Sequence, residues 1–140
     1  MKISIGADHR GFVHKEFIKQ NISLVEWIDV GTYNQERTDY PVFVDKVINL
    51  IIMHKADVGI LICGSGGGMA IAANRYKNIY AVVAWDIQSA QRCKQDDNAN
   101  ILVLPADFIS LEESVEIIHE WLGRKFKGGR YAERLAMIDE

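Results

Sequence analysis

A chain of 140 residues, 49% of them hydrophobic, is long enough for one domain that buries about two-thirds of the surface its unfolded form exposes; a second domain is not expected. Lys and Arg number 16 against 19 Asp and Glu, so the chain lacks the strongly basic field that attracts nucleic acid or an anionic membrane. Only two cysteines occur, no apolar run approaches bilayer length, and the start Met1-Lys2-Ile3-Ser4-Ile5 lacks the apolar core of an export signal, so a soluble cytoplasmic protein with reduced thiols is expected.

Short β-rich runs alternate with segments of helical period, uninterrupted by linkers, repeats or low-complexity stretches. The first strand is predicted over Lys2–Gly6, with a helix over about Gly11–Lys19, and the second strand over Leu24–Val30. Asp39-Tyr40-Pro41 then supplies a capping candidate and an early-turn proline, and Val44, Val47, Ile48 and Ile51 follow on one helical face. Val58–Cys63 is the third strand and leads through a glycine loop into a helix over about Gly67–Arg75. A fourth strand over Ile79–Ala84, a helix over Ile87–Lys94 and a fifth strand over Asn100–Leu104 come next. Ser110-Leu111-Glu112-Glu113 matches a capping box, with Leu111, Val115, Ile118 and Leu122 as the stripe behind it. Gly128-Gly129 separates this helix from a short one carrying Arg134, Leu135 and Ile138, so residues 124–140 form a helical arm that either packs on a neighbouring subunit or is solvated. Nearly continuous apolar strands suit a parallel sheet covered on both faces, and the pattern reads as an α/β protein of repeated βαβ units.

Ligands of open parallel sheets gather at the carboxyl ends of strands. Three segments are candidates for that edge: Gly6-Ala7-Asp8-His9-Arg10-Gly11, Cys63-Gly64-Ser65-Gly66-Gly67-Gly68-Met69, and Lys94-Gln95-Asp96-Asp97-Asn98-Ala99-Asn100. The third precedes the last strand, so its placement depends on how the loop folds back. The glycines at 64, 66, 67 and 68 let successive backbone N–H groups converge into a nest for an oxyanion or phosphate. That partial positive charge favours a thiolate at Cys63, moving its pKa from about 8.5 toward neutrality. Aldose–ketose isomerisation needs such a pairing: a base that moves a proton between adjacent carbons, and donors that hold the enediolate oxygen. Neither metal nor organic cofactor is required.

Other readings stand beside this one. A cysteine that ends a buried strand is often an inert small hydrophobe, and Cys93, which has no glycine loop beside it, is taken as structural. His14, His54 and His119 lack metal-ligand spacing. Arg130 and Arg134, four residues apart, either clamp a phosphate or belong to a solvated face. Gly64-x-Gly66-x-x-Met69 lacks the third glycine of a dinucleotide fingerprint, and no Gly-Lys-Ser/Thr follows, which excludes a P-loop.

Taken together, these segments resemble the type B ribose-5-phosphate isomerase family, which includes the subunits of galactose-6-phosphate isomerase. The resemblance is carried by Gly6-Ala7-Asp8-His9, Asp29-Val30-Gly31-Thr32, Arg37-Thr38-Asp39-Tyr40-Pro41, Ile62-Cys63-Gly64-Ser65-Gly66, Ala72-Ala73-Asn74, Asn98-Ala99-Asn100 and Gly128-Gly129-Arg130. It implies a Rossmann-like three-layer fold with a five-stranded parallel sheet, and a homodimer, sometimes paired into a tetramer, whose active sites are shared between subunits. It further implies that Asp8 and His9 contact the sugar, Cys63 is the proton acceptor, Gly64 through Gly68 hold the enediolate oxygens, and Tyr40 and Ser65 line the site. Arg130 and Arg134 would bind phosphate on the partner chain's substrate.

Three positions depart from the family pattern. Asp96-Asp97 stand where ribose-phosphate isomerases carry His-Asn, and Asp107 replaces an arginine near the end of the last strand. The histidine donates the proton that opens the furanose ring, a role Asp96 could take only if kept protonated. Asp107 should weaken a phosphate site unless Arg10 offsets it. Ribose 5-phosphate is thus the leading substrate, with a tetrose or hexose phosphate, or a non-catalytic sugar-phosphate-binding subunit, as alternatives.

Overall fold

The alternation is realised as β1 (Lys2–Ala7), α1 (Phe12–Asn21), β2 (Glu26–Asp29), α2 (Pro41–Ile52), β3 (Val58–Cys63) and α3 (Gly67–Ala73). Then come β4 (Ala81–Val83), α4 (Ile87–Gln95), β5 (Ile101–Pro105), α5 (Leu111–Leu122) and α6 (Arg130–Ile138) in the computed structural model, which describes residues 1–140. All strand pairs are parallel and the sheet order is β2-β1-β3-β5-β4. The chain runs outward from β1 to the edge at β2, then returns across β1 to β3. The switch point of the sheet therefore lies between β1 and β3, where Ala7 is in register with Ile62.

Period-two alternation along the central strands divides the core into two layers. Ile3, Ile5, Ile60, Ile62, Leu102 and Leu104 face α1, α4 and α5, against Ile18, Ala90, Cys93, Ile117, Ile118 and the fully buried Trp121. Leu61, Cys63, Ile101 and Val103 face the other way, against Phe43, Val44, Val47 and Ile48 of α2 and Met69 and Ala73 of α3. The expected three-layer α/β fold with five parallel strands is what forms. Helix α6 contributes no buried residue.

Local differences have local causes. Strand β4 keeps three residues of the expected six, because Asn100 diverts the chain before it: its side chain accepts the Tyr80 N–H, and its own N–H donates to the Tyr80 carbonyl. Strand β2 starts only at Glu26, and Leu24 is left 95% exposed. Asp39 does not cap α2; Tyr40 occupies the cap without a side-chain bond, and Pro41 begins the helix. The capping box at Ser110 and Glu113 forms as expected, and a second, unexpected one joins Asp86 and Ser89 at the start of α4.

One buried charge cluster ties α1 to β2. Lys15 is fully buried, with its ammonium 2.6 Å from Asp29 and 2.9 Å from Glu16, and Lys19 lies 2.6 Å from the same Asp29 oxygen. Burial opposes ionisation of Asp29, but hydrogen bonds from Lys15, Lys19 and the Gly31 N–H outweigh it and hold the carboxyl below its ordinary range. Asp29→Ala leaves the buried Lys15 ammonium with Glu16 alone, so urea unfolding at neutral pH should show a loss of about 3 kcal/mol, the lower end for breaking a buried ion pair. A depressed carboxylate stabilises fully above its unfolded pKa of about 3.9 and loses that contribution as pH falls through its lower folded value. The gap between wild type and variant should therefore narrow on acidification below about pH 4.

Candidate active site

Strands β1 and β5 both flank β3, so the loops after these three strands converge at one edge of the sheet. Asp8, 6% exposed, accepts the N–H groups of Arg10 (3.0 Å) and Gly11 (3.2 Å), which turns the chain into α1. Its own N–H donates to the Ile62 carbonyl at 3.2 Å. Gly11 permits this approach, because a Cβ there would stand 2.4 Å from the Ile62 carbonyl oxygen. Gly11→Ala must push the loop away from β3; the melting temperature should drop by a few degrees, on the order of an overpacked site. His9 Nδ1 accepts the Thr38 N–H at 3.3 Å, which leaves the proton of a neutral ring on Nε2. The Thr38 hydroxyl beside it is buried without a partner in the chain.

The glycine loop closes on the sulfur. Gly66, in the left-handed region with φ +79°, starts α3 and donates its N–H to Cys63 Sγ at 3.2 Å. Ser65 is exposed and its Oγ accepts the Gly67 N–H at 3.2 Å. The Tyr40 ring lies directly over Gly68, where a Cβ would stand 2.6 Å from the phenol oxygen. Arg10 and Asp107 form an ion pair of 2.6 Å above Gly64, and the Asp107 N–H donates to the Gly64 carbonyl at 3.0 Å. Beside Ser65 a cleft of about 420 Å³ is walled by Val83, Trp85, Pro105 and Phe108.

Cys63 is 5% exposed, and burial pushes its thiol above the ordinary range. The N–H groups of Gly66, Met69 and Ser65 pull it down, while the nearby Asp8 carboxylate adds to the rise. This corrects the expected shift toward neutrality: desolvation and Asp8 outweigh the nest in the single chain. Carbamidomethylation of Cys63, followed by peptide mass spectrometry, should accelerate about tenfold per pH unit from pH 7 to 9. A plateau already at neutral pH would reveal a lowered pKa instead. Cys93, on the buried face of α4, is pushed up to about 12 by burial and then by Asp97, in keeping with a structural thiol.

The third candidate segment is not at this edge. Asp96 and Asp97 follow α4 and precede β5, and Asn100 hydrogen-bonds at the amino ends of β3 and β4. Five residues of β5 separate them from the carboxyl edge, about 17 Å of strand. The reason is topological: α4 runs antiparallel to the strands, so it starts at the cysteine edge and ends at the other. The arm lies with them. Lys127 donates its N–H to the Gln95 carbonyl and pairs with Asp96 at 3.1 Å, and Tyr80 hydrogen-bonds Asp139. Arg130 and Arg134 are exposed there, each guanidinium within 5.6 Å of the Tyr131 ring centre. The largest cleft, about 650 Å³, also opens at this end, against Tyr80, Asp97 and Asp139. The carboxyl raised by its surroundings is Asp97, through desolvation and then the Asp96 charge.

Asp8, His9, Tyr40, Cys63, Ser65 and the glycines thus meet within one chain, whereas Asp96, Asp97, Arg130 and Arg134 do not join them. Sequence reasoning missed Thr38 as the partner of His9 and the Met69 N–H at the sulfur. The Arg10–Asp107 pairing did leave a signal, as opposite charges in loops on either side of β3. No group of three or more His, Cys, Asp or Glu side chains is placed to hold a metal ion.

The sequence model of the ribose/galactose isomerase family matches residues 3–138. Ribose-5-phosphate isomerase B of Escherichia coli is 40% identical over 139 residues, 98% of this chain and 93% of that protein. The crystal structure of a ribose 5-phosphate isomerase from Thermotoga maritima superposes with a TM-score of 0.96 at 42% identity, covering 99% of this chain and 97% of that one. Ribose-5-phosphate isomerase B from Mycoplasma genitalium, solved with bound ribulose-5-phosphate, gives a TM-score of 0.93 at 33% identity over 99% of this chain and 93% of its own. With the glycine-loop cysteine, the Asp8-His9 pair and the parallel sheet all in place, the chain belongs to the ribose/galactose isomerase family.

Proposed function

We propose that this member of an aldose–ketose isomerase family converts ribose 5-phosphate to ribulose 5-phosphate, with Cys63 carrying the proton. The Cys63 thiolate takes the hydrogen from C2 of the open-chain aldose, and the electron pair forms the C1–C2 double bond of an enediolate. The thiol then returns the proton to C1 while the O2 proton is transferred to O1, so that C2=O2 forms, O1 becomes a hydroxyl and the neutral ketose results. Backbone N–H groups of the glycine loop hold the developing oxyanion. The observation that carries this reading is the convergence of Asp8, His9 and the glycine loop on one buried cysteine at the sheet's switch point. The bound ribulose-5-phosphate of the Mycoplasma genitalium relative supports the choice of substrate.

The active unit in this reading is a homodimer, or a pair of dimers, in which the amino-end group of one chain completes the cysteine edge of another. Arg130 and Arg134 then bind the phosphate, and Asp97, whose carboxyl is raised, serves better than the Lys127-paired Asp96 as the ring-opening acid. An arm with Met137 and Ile138 69% and 73% exposed supports such packing. No helix is long and apolar enough to cross a membrane, and free Cys63 and Cys93 fit a reducing compartment such as the cytoplasm.

A tetrose 4-phosphate is the second reading, favoured by the ion pair that occupies Asp96, since such a sugar closes no furanose ring and needs no ring-opening acid. Deuterium incorporation from solvent into four-, five- and six-carbon aldose and ketose phosphates separates the two. Label beside the carbonyl of ribose 5-phosphate is expected; label in the tetrose alone would transfer the assignment. None with any sugar bound in the panel would leave a binding subunit.

A further inference from the structure

Arg10 is the one Lys or Arg in the loops after β1, β3 and β5, the three that surround Cys63. Its guanidinium and the Asp107 carboxylate cover Gly64, where a Cβ would stand 2.9 Å from Arg10 Nε and 2.9 Å from Asp107 Oδ2. Both residues are anchored through their backbones, Arg10 by its N–H on Asp8 and Asp107 by its N–H on the Gly64 carbonyl. The Arg10 side chain is nonetheless 58% exposed and that of Asp107 37%, so the anchored pair faces outward at the glycine loop. A guanidinium offers five donors, and one carboxylate oxygen at 2.6 Å leaves most of them for a ligand.

We infer that Arg10 is an anion-binding residue of the site, contributed by the same chain as Cys63, and that Asp107 sets how strongly it binds. The ligand class is a phosphate monoester, taken up by the outward N–H groups of Arg10 in the manner of an arginine fork. Asp107 fixes the guanidinium in place over Gly64, but its carboxylate repels the incoming dianion. Affinity for phosphate is thereby held down while position is kept, a balance that makes residue 107 a determinant of substrate preference. The inference rests on the sugar-phosphate reading but not on isomerase chemistry.

The test compares wild type, Arg10→Met and Asp107→Asn by calorimetric titration with inorganic phosphate and with ribitol 5-phosphate, a polyol phosphate that cannot isomerise. Both substitutions break the same ion pair. If the pair only staples the Gly64 loop, both variants weaken binding together and lower the melting temperature together, which overturns the inference. A ligand role predicts opposite signs: roughly tenfold weaker binding in Arg10→Met and several-fold tighter binding in Asp107→Asn, the order expected when one charge-assisted hydrogen bond is removed or one repulsion is relieved. Steady-state kinetics should show the Arg10→Met defect mainly in KM rather than kcat. Equal affinities in all three proteins, or no phosphate binding by wild type, would also overturn it. Opposite-sign binding effects in a protein without turnover would uphold Arg10 and refute the isomerase reading alone.

Discussion

Replacing Cys63 by alanine should lower kcat on ribose 5-phosphate by about a thousandfold, the middle of the range for removing a positioned acid–base group. The loss is expected in chemistry rather than folding. Cys63 sits at the end of β3, and its Sγ accepts a hydrogen bond from the Gly66 N–H, which a small side chain at the edge of the core can forgo without a large cavity. Cys63→Ser keeps the shape and the acceptor but raises the acid's pKa far beyond that of a thiol, so it should be nearly as inactive. Ribitol 5-phosphate binding, measured alongside, should stay within about threefold of wild type, because the glycine-loop donors are backbone groups that the substitution leaves in place. Solvent deuterium should cease to enter the sugar. A Cys63→Ala protein that still exchanged label at the wild-type rate would move the base elsewhere, and Asp8, whose charge acts on the same thiol, would be the first place to look.

How much of this was legible in the sequence depended on whether the cause was local. Strand β3 was read to the residue because its nearly continuous apolar run ends at a glycine loop, and the start of α5 because its capping box is local; the stripe was misplaced, since Ser114, Ile117, Ile118 and Trp121 form the buried face while Leu111, Val115 and Leu122 stay half-buried. Strand β4 was overestimated because its shortening comes from Asn100, twenty residues on, whose side chain takes the Tyr80 N–H. The site divides along the same line. Cys63 and its glycines are contiguous, so nest chemistry could be read directly, and Asp8-His9 followed from the preceding strand. The direction of the Cys63 shift could not be read, since desolvation and the Asp8 charge exist only once β1 and β3 lie side by side. Nor could the separation of Asp96 from Cys63, which follows from the antiparallel run of α4 rather than from any residue type.

That separation makes subunit exchange the sharpest test of the shared site. Cys63→Ala removes the base from one edge, and the double variant Arg130→Ala/Arg134→Ala removes both arginines from the other. Each homogeneous protein should be nearly inactive, the second mainly through a KM raised by about ten- to a hundredfold, as expected when two charge-assisted phosphate ligands are removed. If the two edges belong to one chain's site, mixing the variants changes nothing. If instead the site is shared across a twofold dimer, each site takes its cysteine edge from one chain and its arginines from the other. Random reassortment makes about half of the dimers mixed, and each mixed dimer carries one site with both defects and one with neither. Unfolding and refolding an equimolar mixture should therefore restore about a quarter of wild-type activity. The recovered activity should have a wild-type KM, since every working site is intact, and it should grow with the fraction of mixed dimers resolved by native mass spectrometry. A mixture no more active than its parents, in samples shown to contain mixed dimers, would confine each site to one chain, and the exposed arginines of α6 would then be an ordinary solvated face.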